Sequence, residues 1–446
     1  MVTRRASAPD GRRRADDART VAWRIVRAVH HDGAWTGPTV DRALRTSELD
    51  ARDRSFASNL AFQTLRWQGT LDWALRQVVA RPLAQVEAGL LDLLRLGAWQ
   101  LLYGRMPDHA AVSATVDVAR AQLPARTVGF ANGVLRNLAR RRDGLPWPSD
   151  DTTDGLALAT GYPAWVVTAA IERFGVAARA ELEAGNEPAE LTVRASDATA
   201  LRAGLESVGA TVRAGTVDPA ALHVDGMVPG DLLDQFPDAV IQDEASMVVA
   251  RAAAAAAPPD GPLLDACAAP GGKTVHLAAL DRSVVAADRS PTRLAMVIAL
   301  ASRLGVTVPT VAADGTRTPW RADSFAGVLI DAPCSGLGVV RRRPELRWRR
   351  TADDVASLPA LQGRLLDAAA PTVRRGGALT YSVCTWTRAE TVGVVEAFLS
   401  RHDDYTIAVE PPAGVESHPG VDGPGTQLSS ALHGCDGMYV AVLRRA

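Results

Sequence analysis

Cysteine and aspartate residues recur where apolar segments end in the C-terminal part of the chain. Five such segments, each typical of a buried strand, end at or near Asp265, Asp288, Asp314, Asp331 and Cys384. In open α/β sheets the ligand binds outside the carboxyl ends of the strands. We therefore expect these side chains along one edge of a sheet, with Cys334 beside them because it follows Asp331 in the same loop.

The turn after the first segment combines glycine, lysine and a predicted helix start. Gly271 and Gly272 let a ligand approach the backbone closely, and the helix behind them favours a negative group. Asp288 follows Gly271 by 17 residues, near the offset of about 20 at which a carboxylate binds a ribose hydroxyl. A phosphate-binding loop would need glycine where Cys267 stands. The pattern favours a ribose-containing cofactor, and Lys273, the only lysine among 49 basic residues, indicates a site that needs a compact ammonium group.

Two thiols beside such a cofactor indicate covalent catalysis. Carbon 5 of a pyrimidine is too electron-poor to attack a methyl donor, but a thiolate that adds to carbon 6 makes carbon 5 nucleophilic. Cys334 and Cys384 are the candidates, whereas Cys267 and Cys435 are more typical of small buried hydrophobic residues. The four cysteines lack paired spacing and none of the eight histidines falls in a metal motif, so we predict no metal site.

The elements that would position these residues form several domains. Residues 251–446 alternate apolar and helix-length segments, which predicts an α/β domain with a Rossmann-like, mostly parallel sheet. Residues 155–250 have shorter alternating segments and are predicted to form a small α/β module. Residues 16–146 carry apolar side chains at helical spacing, which predicts an all-helical domain. Residues 1–15 are rich in arginine and predict a disordered basic arm.

The composition excludes other classes. A chain of 446 residues exceeds the size of about 250–300 residues at which single cores stop growing, so one domain is excluded. No segment approaches the roughly 20 apolar residues of a membrane span, and the dispersed cysteines fit free thiols in a reducing cytoplasm. The net charge is only -1, but residues 341–350 contain six arginines and a tryptophan, which predicts contacts with RNA phosphates and bases.

Three motifs closely resemble those of one known family. They are Asp-Ala-Cys-Ala-Ala-Pro-Gly-Gly-Lys-Thr at 265–274, Asp-Ala-Pro-Cys-Ser-Gly at 331–336 with Arg-Arg-Arg-Pro-Glu at 341–345, and Tyr-Ser-Val-Cys at 381–384. They are similar to the motifs of the Nop/Sun family of S-adenosylmethionine-dependent RNA (cytosine-5) methyltransferases. The first, helical domain resembles the antitermination factor NusB. The resemblance implies a class I methyltransferase fold and methylation of carbon 5 of a cytosine in small-subunit ribosomal RNA. Separately, we expect a monomer located in the cytoplasm.

The resemblance also implies which residues bind the cofactor. The segment that would wrap the methionine part of S-adenosylmethionine consists of Cys267, Ala268, Ala269, Pro270, Gly271, Gly272 and Lys273. Lys273 would lie near the methionine carboxylate. Asp288 would hold the ribose, and Asp314 would lie by the adenine.

Three further residues would carry the reaction. By the same resemblance, Cys384 would be the nucleophile, Cys334 would assist release of the methylated product, and Asp331 would lie between cofactor and target base. Val383 departs from the family, which commonly has threonine before the nucleophile. The substitution removes a hydroxyl group but not the thiol.

Two other functions remain open on the sequence alone. One is a methyltransferase that acts on a protein or a small molecule, with cysteines that are structural. Activity insensitive to ribonuclease would favour it. The other is a non-catalytic RNA-binding assembly factor that works through its helical domain, which unchanged cofactor binding after Lys273→Ala would favour.

Overall fold

The computed structural model describes residues 17–408 and 414–446, in two compact units. The first unit ends at Trp147 and the second begins at Pro148. The predicted basic arm, residues 1–15, lies outside the described residues. Within the described ranges, no helix combines the length and the apolar content that a membrane span requires.

The first unit is helical, as its apolar spacing predicted. Val21, Ile25 and Val29 recur every four residues and are buried in the common core of this unit. Asp50 begins one helix by accepting a hydrogen bond from Asp53 N. The helices are α1 (Ala18–His31), α2 (Thr36–Arg45), α3 (Ala51–Arg66), α4 (Gln68–Arg76), α5 (Ala88–Leu102), α6 (Asp108–Gln122) and α7 (Ala125–Arg141).

The second unit begins with helices and a small antiparallel sheet. The elements are α8 (Thr153–Thr160), α9 (Ala164–Phe174), α10 (Ala178–Ala184), β1 (Leu191–Arg194), α11 (Ala198–Ser207), β2 (Thr211–Ala214), β3 (Leu222–Asp225), α12 (Pro229–Gln235) and β4 (Val240–Ile241). The strands pair in the order β2-β3-β1-β4. Arg194 at the end of β1 donates to Gln242 Oε1 at 2.6 Å and to Gly272 O at 3.3 Å. These bonds tie the small sheet to the glycine turn.

The rest of the second unit is built on an eight-stranded sheet. Its elements are α13 (Glu244–Ala256), β5 (Leu263–Asp265), α14 (Gly272–Ala279), β6 (Val284–Asp288), α15 (Pro291–Arg303), β7 (Thr310–Ala312), β8 (Phe325–Asp331), α16 (Leu346–Arg349), α17 (Ala352–Ala369), β9 (Val373–Val383), α18 (Val392–Leu399), β10 (Tyr405–Ile407), β11 (Thr426–Gln427), α19 (Ser430–His433) and β12 (Tyr439–Arg445). Helix α13 runs through residue 250, where the sequence placed the end of the small module.

The order of the large sheet is β10-β12-β9-β8-β5-β6-β7, with β11 paired to β12. Strands β5 to β9 are parallel to one another, so their carboxyl ends reach the same edge. Strands β12 and β10 extend the sheet antiparallel beyond β9. The predicted fold class is confirmed, since a mostly parallel Rossmann-like sheet follows a helical region and a small α/β part. The antiparallel strands were not predicted.

Strands β8 and β9 lie at the centre of the sheet. Every residue of β8 before Asp331 is buried, which is typical of a parallel strand covered on both faces. Strand β12 pairs with the last part of β9, opposite Tyr381 and Val383, whose side chains are fully buried. This packing fixes the end of β9, and therefore Cys384, relative to the end of β8.

Candidate active site

The two thiols lie next to each other at the carboxyl edge of the large sheet. Cys384 directly follows β9, and Cys334 lies three residues beyond the end of β8. The two sulfur atoms are 3.3 Å apart. The parallel pairing of β8 with β9, which sets Asp331 opposite Ser382, brings the two loops to this distance.

The surroundings of Cys334 favour its protonated form. The hydrogen bond to Cys384 and then burial raise the pKa of the Cys334 thiol, and the negative charges of Cys384, Glu390 and Asp331 raise it further. Cys334 Sγ and Cys384 Sγ share a hydrogen bond in which either sulfur can be the donor. Cys334 is therefore expected to be a neutral thiol in this pair.

Asp331, whose charge acts on the Cys334 thiol, is hydrogen-bonded to Lys273, the only lysine in the sequence. Asp331 Oδ2 accepts a hydrogen bond from Lys273 Nζ at 2.7 Å, and Oδ1 accepts one from Ser382 Oγ at 2.8 Å. Ser382 lies two residues before Cys384 in β9. Burial alone would lower the pKa of Lys273, but the charge of Asp331 and the hydrogen bond to it outweigh burial and raise that pKa. Lys273 therefore remains a cation beside the two thiols.

The turn between β5 and α14 needs glycine at one position. Gly271 has a φ of +112°, and a Cβ atom there would lie 3.1 Å from Val297 Cα. Helix α14 begins at the next residue, Gly272. The backbone of this turn is therefore placed where a ligand can approach the start of a helix.

Asp288 and Asp314 differ in their surroundings. Asp288 is buried at the end of β6, where it accepts hydrogen bonds from Ser290 N at 2.9 Å and Ala269 N at 3.3 Å. It thereby joins the end of β6 to the glycine turn. Asp314 lies two residues beyond β7, is exposed, and accepts its hydrogen bonds from Thr316 within its own loop. The backbone N–H of Thr316 lowers the pKa of Asp314.

Comparison with known proteins identifies the family. The family described as 16S rRNA methyltransferase RsmB/F matches residues 253–444. A protein of Xanthomonas campestris pv. campestris, named ribosomal RNA small subunit methyltransferase B, is 36% identical over 444 residues, covering 96% of this chain and 97% of that protein. The chain belongs to the RsmB/F family. It is an S-adenosylmethionine-dependent methyltransferase of that family.

Further comparisons match the first unit of this RsmB/F methyltransferase and nearly the whole chain. The NusB family matches residues 16–140, which confirms the predicted resemblance of the first unit. The Mycobacterium tuberculosis protein Rv1407, named only as a methyltransferase, is 38% identical over 464 residues, covering 97% of this chain and 98% of that protein. The crystal structure of PH0851 has a TM-score of 0.81 at 21% identity, covering 97% of this chain and 100% of that chain. This last similarity shows the fold alone.

The residues present in this RsmB/F enzyme fit S-adenosylmethionine. Asp265 is buried at the end of β5, and burial raises its pKa to about 6. Its Oδ2 accepts a hydrogen bond from Thr274 Oγ1 at 2.7 Å, whereas Oδ1 has no hydrogen-bond partner among the described residues. An unpaired buried acceptor next to the glycine turn suits a ligand ammonium group, and Asp288 suits ribose hydroxyls. Burial raises the pKa of Cys267, which stays a thiol in this turn.

Part of the arginine segment 341–350, which the sequence predicted to contact RNA, is used inside the fold. Arg347 is fully buried and its guanidinium lies 3.7 Å from the centre of the Tyr162 ring. It donates to Gly161 O at 3.1 Å, to Gly185 O at 3.1 Å and to Asn186 Oδ1 at 2.8 Å. Arg347 therefore attaches α16 to the helices at the start of the second unit.

Two other arginines of this segment are also engaged by the protein itself. Arg341 is buried and donates to Gly434 O at 2.5 Å. Arg342 donates to Asp243 Oδ2 at 2.8 Å and to Asp436 Oδ2 at 3.2 Å. Burial would lower the pKa of Arg342, but these two carboxylates outweigh burial and raise it. The prediction of RNA contacts is therefore wrong for Arg341, Arg342 and Arg347, whose guanidinium groups are buried or paired inside the fold. It stays a prediction for Arg343, Arg349 and Arg350.

One group of potential metal ligands lies in the described part of the first unit. Buried Asp92 lies 2.7 Å from His30 Nδ1 and 2.7 Å from His31 Nε2, and it accepts a hydrogen bond from Arg95 Nη1 at 3.1 Å. Arg95 also binds Asp72. Asp92 therefore shares the Arg95 cation with Asp72, and the group is explained as a network of ion pairs and hydrogen bonds. The absence of a metal site stays a prediction.

Some polar residues around the thiols had no signal in the sequence. Glu390 lies six residues after Cys384 in a segment without a recognisable motif, yet its carboxylate accepts a hydrogen bond from Ser335 N at 2.8 Å. Gln362, on α17, donates to Pro333 O at 3.0 Å. No spacing rule connects these positions, and only the fold brings them to the cysteine loops.

Proposed function

We propose that this RsmB/F enzyme transfers a methyl group from S-adenosylmethionine to carbon 5 of a cytosine in 16S rRNA, with Cys384 as the nucleophile. The 3.3 Å separation of the Cys334 and Cys384 sulfur atoms supports the proposal most strongly. Carbons 5 and 6 of one pyrimidine are adjacent, so a nucleophile for one and a base for the other must lie close together. The target base must also leave its stack to reach them.

The first step forms a bond between Cys384 and the base. The Cys384 thiolate adds to carbon 6, and the electron pair of the carbon 5–carbon 6 double bond moves to carbon 5. S-adenosylmethionine supplies an electrophilic methyl group to that carbon. The thiol of Cys334 and the cation of Lys273 stabilise the Cys384 thiolate before it adds.

The second step releases the product through Cys334. Cys334 Sγ takes the proton of carbon 5, the double bond to carbon 6 re-forms, and the carbon 6–sulfur bond breaks to return the Cys384 thiolate. Cys334 must first lose its own proton to solvent. The hydrogen bond to Cys384 and the charge of Cys384 raise the Cys334 pKa in the free enzyme, and both disappear once Cys384 is bonded to carbon. Formation of the adduct therefore lowers the pKa of the base that resolves it.

The remaining motif residues position the two reactants in this proposal. The turn from Cys267 to Lys273, together with Asp288, holds the methionine and ribose parts of the cofactor, and Asp314 lies towards the adenine. Asp331 lies between cofactor and base, where Lys273 and Ser382 fix both of its oxygen atoms. A carboxylate fixed on both sides is suited to orienting a polar group of the base.

Methyl transfer to 16S rRNA by single-cysteine variants tests the proposal. Cys384→Ala is expected to lower the formation of 5-methylcytosine by at least about 1,000-fold, because no other group replaces a covalent nucleophile. Cys435→Ala, at a buried cysteine, is the matched control and should retain full activity. Mass spectrometry of digested rRNA measures the product. Full activity of Cys384→Ala would contradict the proposal, and activity that survives ribonuclease treatment would favour a protein or small-molecule substrate.

A further inference from the structure

Glu390 is a fully buried carboxylate whose charge acts on the Cys334 thiol. It ends the short turn Arg388–Glu390 between β9 and α18. Burial of a carboxylate is unfavourable unless hydrogen bonds replace its lost hydration. The groups that donate hydrogen bonds to Glu390 therefore indicate which segments Glu390 holds in place.

The donors of Glu390 come from both cysteine-bearing segments. Ser335, which directly follows Cys334, donates its N–H to Oε1 at 2.8 Å and its hydroxyl to Oε2 at 2.6 Å. Thr385, which directly follows Cys384, has its hydroxyl 3.4 Å from Oε2 and 2.8 Å from the Ser335 hydroxyl. One carboxylate thus joins the residues that follow the two cysteines.

Gln362 completes this arrangement from α17. Its Nε2 donates to Pro333 O at 3.0 Å and to Glu390 Oε1 at 3.2 Å. Pro333 and Ser335 flank Cys334, so the backbone on both sides of Cys334 is attached to Glu390, directly or through Gln362. The Cys334 loop can therefore move relative to Cys384 only if these bonds break.

We propose that Glu390 is a positioning residue that sets the distance between the Cys334 and Cys384 sulfur atoms. The inference rests on the proposed function, in which Cys334 removes a proton from the carbon next to the one that Cys384 attacks. Glu390 itself touches neither the base nor the cofactor in this scheme. Misplacement of a reacting group by about 1 Å lowers rates by about 100-fold, so loss of Glu390 should impair release of the product more than formation of the adduct.

Ser335→Ala and Thr387→Val form a matched pair of test variants. Both hydroxyls donate to Glu390 Oε2, at 2.6 Å and 2.9 Å, and both residues are buried. Only Ser335 is attached to the Cys334 loop. With 16S rRNA and S-adenosylmethionine, we expect Ser335→Ala to lower turnover about 10-fold and to accumulate a denaturant-resistant protein–RNA adduct, because Cys384 still adds but Cys334 is displaced. Thr387→Val should accumulate none.

Substitutions of Glu390 itself provide a second readout. Glu390→Ala should lower turnover about 100-fold, and Glu390→Gln should restore most of it, since an amide oxygen still accepts from Ser335 N and hydroxyl groups can reverse their bonds. The groups that face Cys334 and raise its pKa are Cys384, Glu390 and Asp331. Loss of the Glu390 charge lowers that pKa, so the acid limb of product release in Glu390→Gln should move to lower pH.

Cys334→Ala, run in parallel, separates the two proposals. Adduct in Cys334→Ala but not in Ser335→Ala would overturn the role of Glu390 and leave the proposed function standing. Equal adduct in Ser335→Ala and Thr387→Val would also overturn it, because any lost bond to Glu390 would then have the same effect. If Cys334→Ala accumulates no adduct, the proposed function is itself contradicted and the role of Glu390 falls with it. If Glu390→Ala does not fold, Ser335→Ala still decides the outcome.

Discussion

The cysteine segment 331–336 and the arginine segment 341–350 are separated by only four residues. Both consist of residue types that commonly bind or react with ligands. In the first segment, Asp331 and Cys334 are bonded to Lys273 and Cys384, which are themselves groups able to do chemistry. In the second segment, Arg347 is fully buried and donates to backbone carbonyl and side-chain amide oxygen atoms.

The partners of these residues, and not their type, distinguish the two segments. Reactive side chains that contact one another at the end of parallel strands form a site, because the sheet brings several strand ends to one edge. Arginines whose donors are used by backbone carbonyls hold two parts of the fold together. One segment should therefore contribute mainly to the reaction and the other mainly to stability.

Among the substitutions that test this difference between the segments, Arg347→Met is expected to change the free energy of unfolding most. The substitution keeps the apolar stem but leaves the oxygen atoms of Gly161, Gly185 and Asn186 without their donor. Unpaired buried acceptors cost about 1–3 kcal/mol each, so we expect the free energy of unfolding to fall by at least about 3 kcal/mol. Urea unfolding measures this loss, while the activity per folded molecule should stay unchanged.

Arg321→Met is the control, because this arginine is exposed in the same unit. It should change the free energy of unfolding by less than about 0.5 kcal/mol. If Arg347→Met leaves stability unchanged and weakens binding to 16S rRNA, the arginine segment is an RNA surface. That result would contradict a mainly stabilising role of this segment.

A smaller change, an increase in the free energy of unfolding, is expected from Asp265→Asn at the end of β5. Burial raises the Asp265 pKa from 3.8 to about 6, so between these pH values the folded protein binds a proton more tightly than the unfolded chain. The contribution of this group to stability is therefore lost as pH rises through that window. Relative to the unsubstituted protein, Asp265→Asn should gain up to about 3 kcal/mol between pH 4 and pH 7.

Asp314→Asn supplies a contrast in the same measurement. The pKa of Asp314 is lowered, so its stabilising contribution is present above its unfolded pKa and is lost as pH falls. Its asparagine variant should therefore lose stability relative to the unsubstituted protein as pH rises. The same pH trend in both variants would show that Asp265 is not held in a destabilising environment.

Much of the fold could be predicted from apolar periodicity. The segments that form β5, β6 and β8 are short and apolar, each ends in an aspartate, and the intervening helices make a parallel sheet the simplest solution. The antiparallel strand β12 was not predicted, because an apolar run does not show which strand it pairs with. Its partner strand β9 lies more than 50 residues earlier in the chain.

The site could be predicted only in part. Parallel strand ends placed Cys334 near Cys384 because that proximity follows from topology. Glu390 and Gln362 could not be found, since their hydrogen bonds connect loops and helices that no sequence spacing relates. Arg347 was misassigned because a run of arginines has the same pattern whether it faces solvent or is buried against carbonyl groups.

The species that Cys334→Ala forms with 16S rRNA and S-adenosylmethionine tests the sequential action of the two thiols most directly. We expect a protein–RNA complex that survives denaturant, with a methylated cytosine bonded to the sulfur of Cys384. Mass spectrometry of the digested complex identifies both the peptide and the base. A complex attached at any other residue, or normal turnover without a complex, would contradict the claim that the two thiols act in sequence on one base.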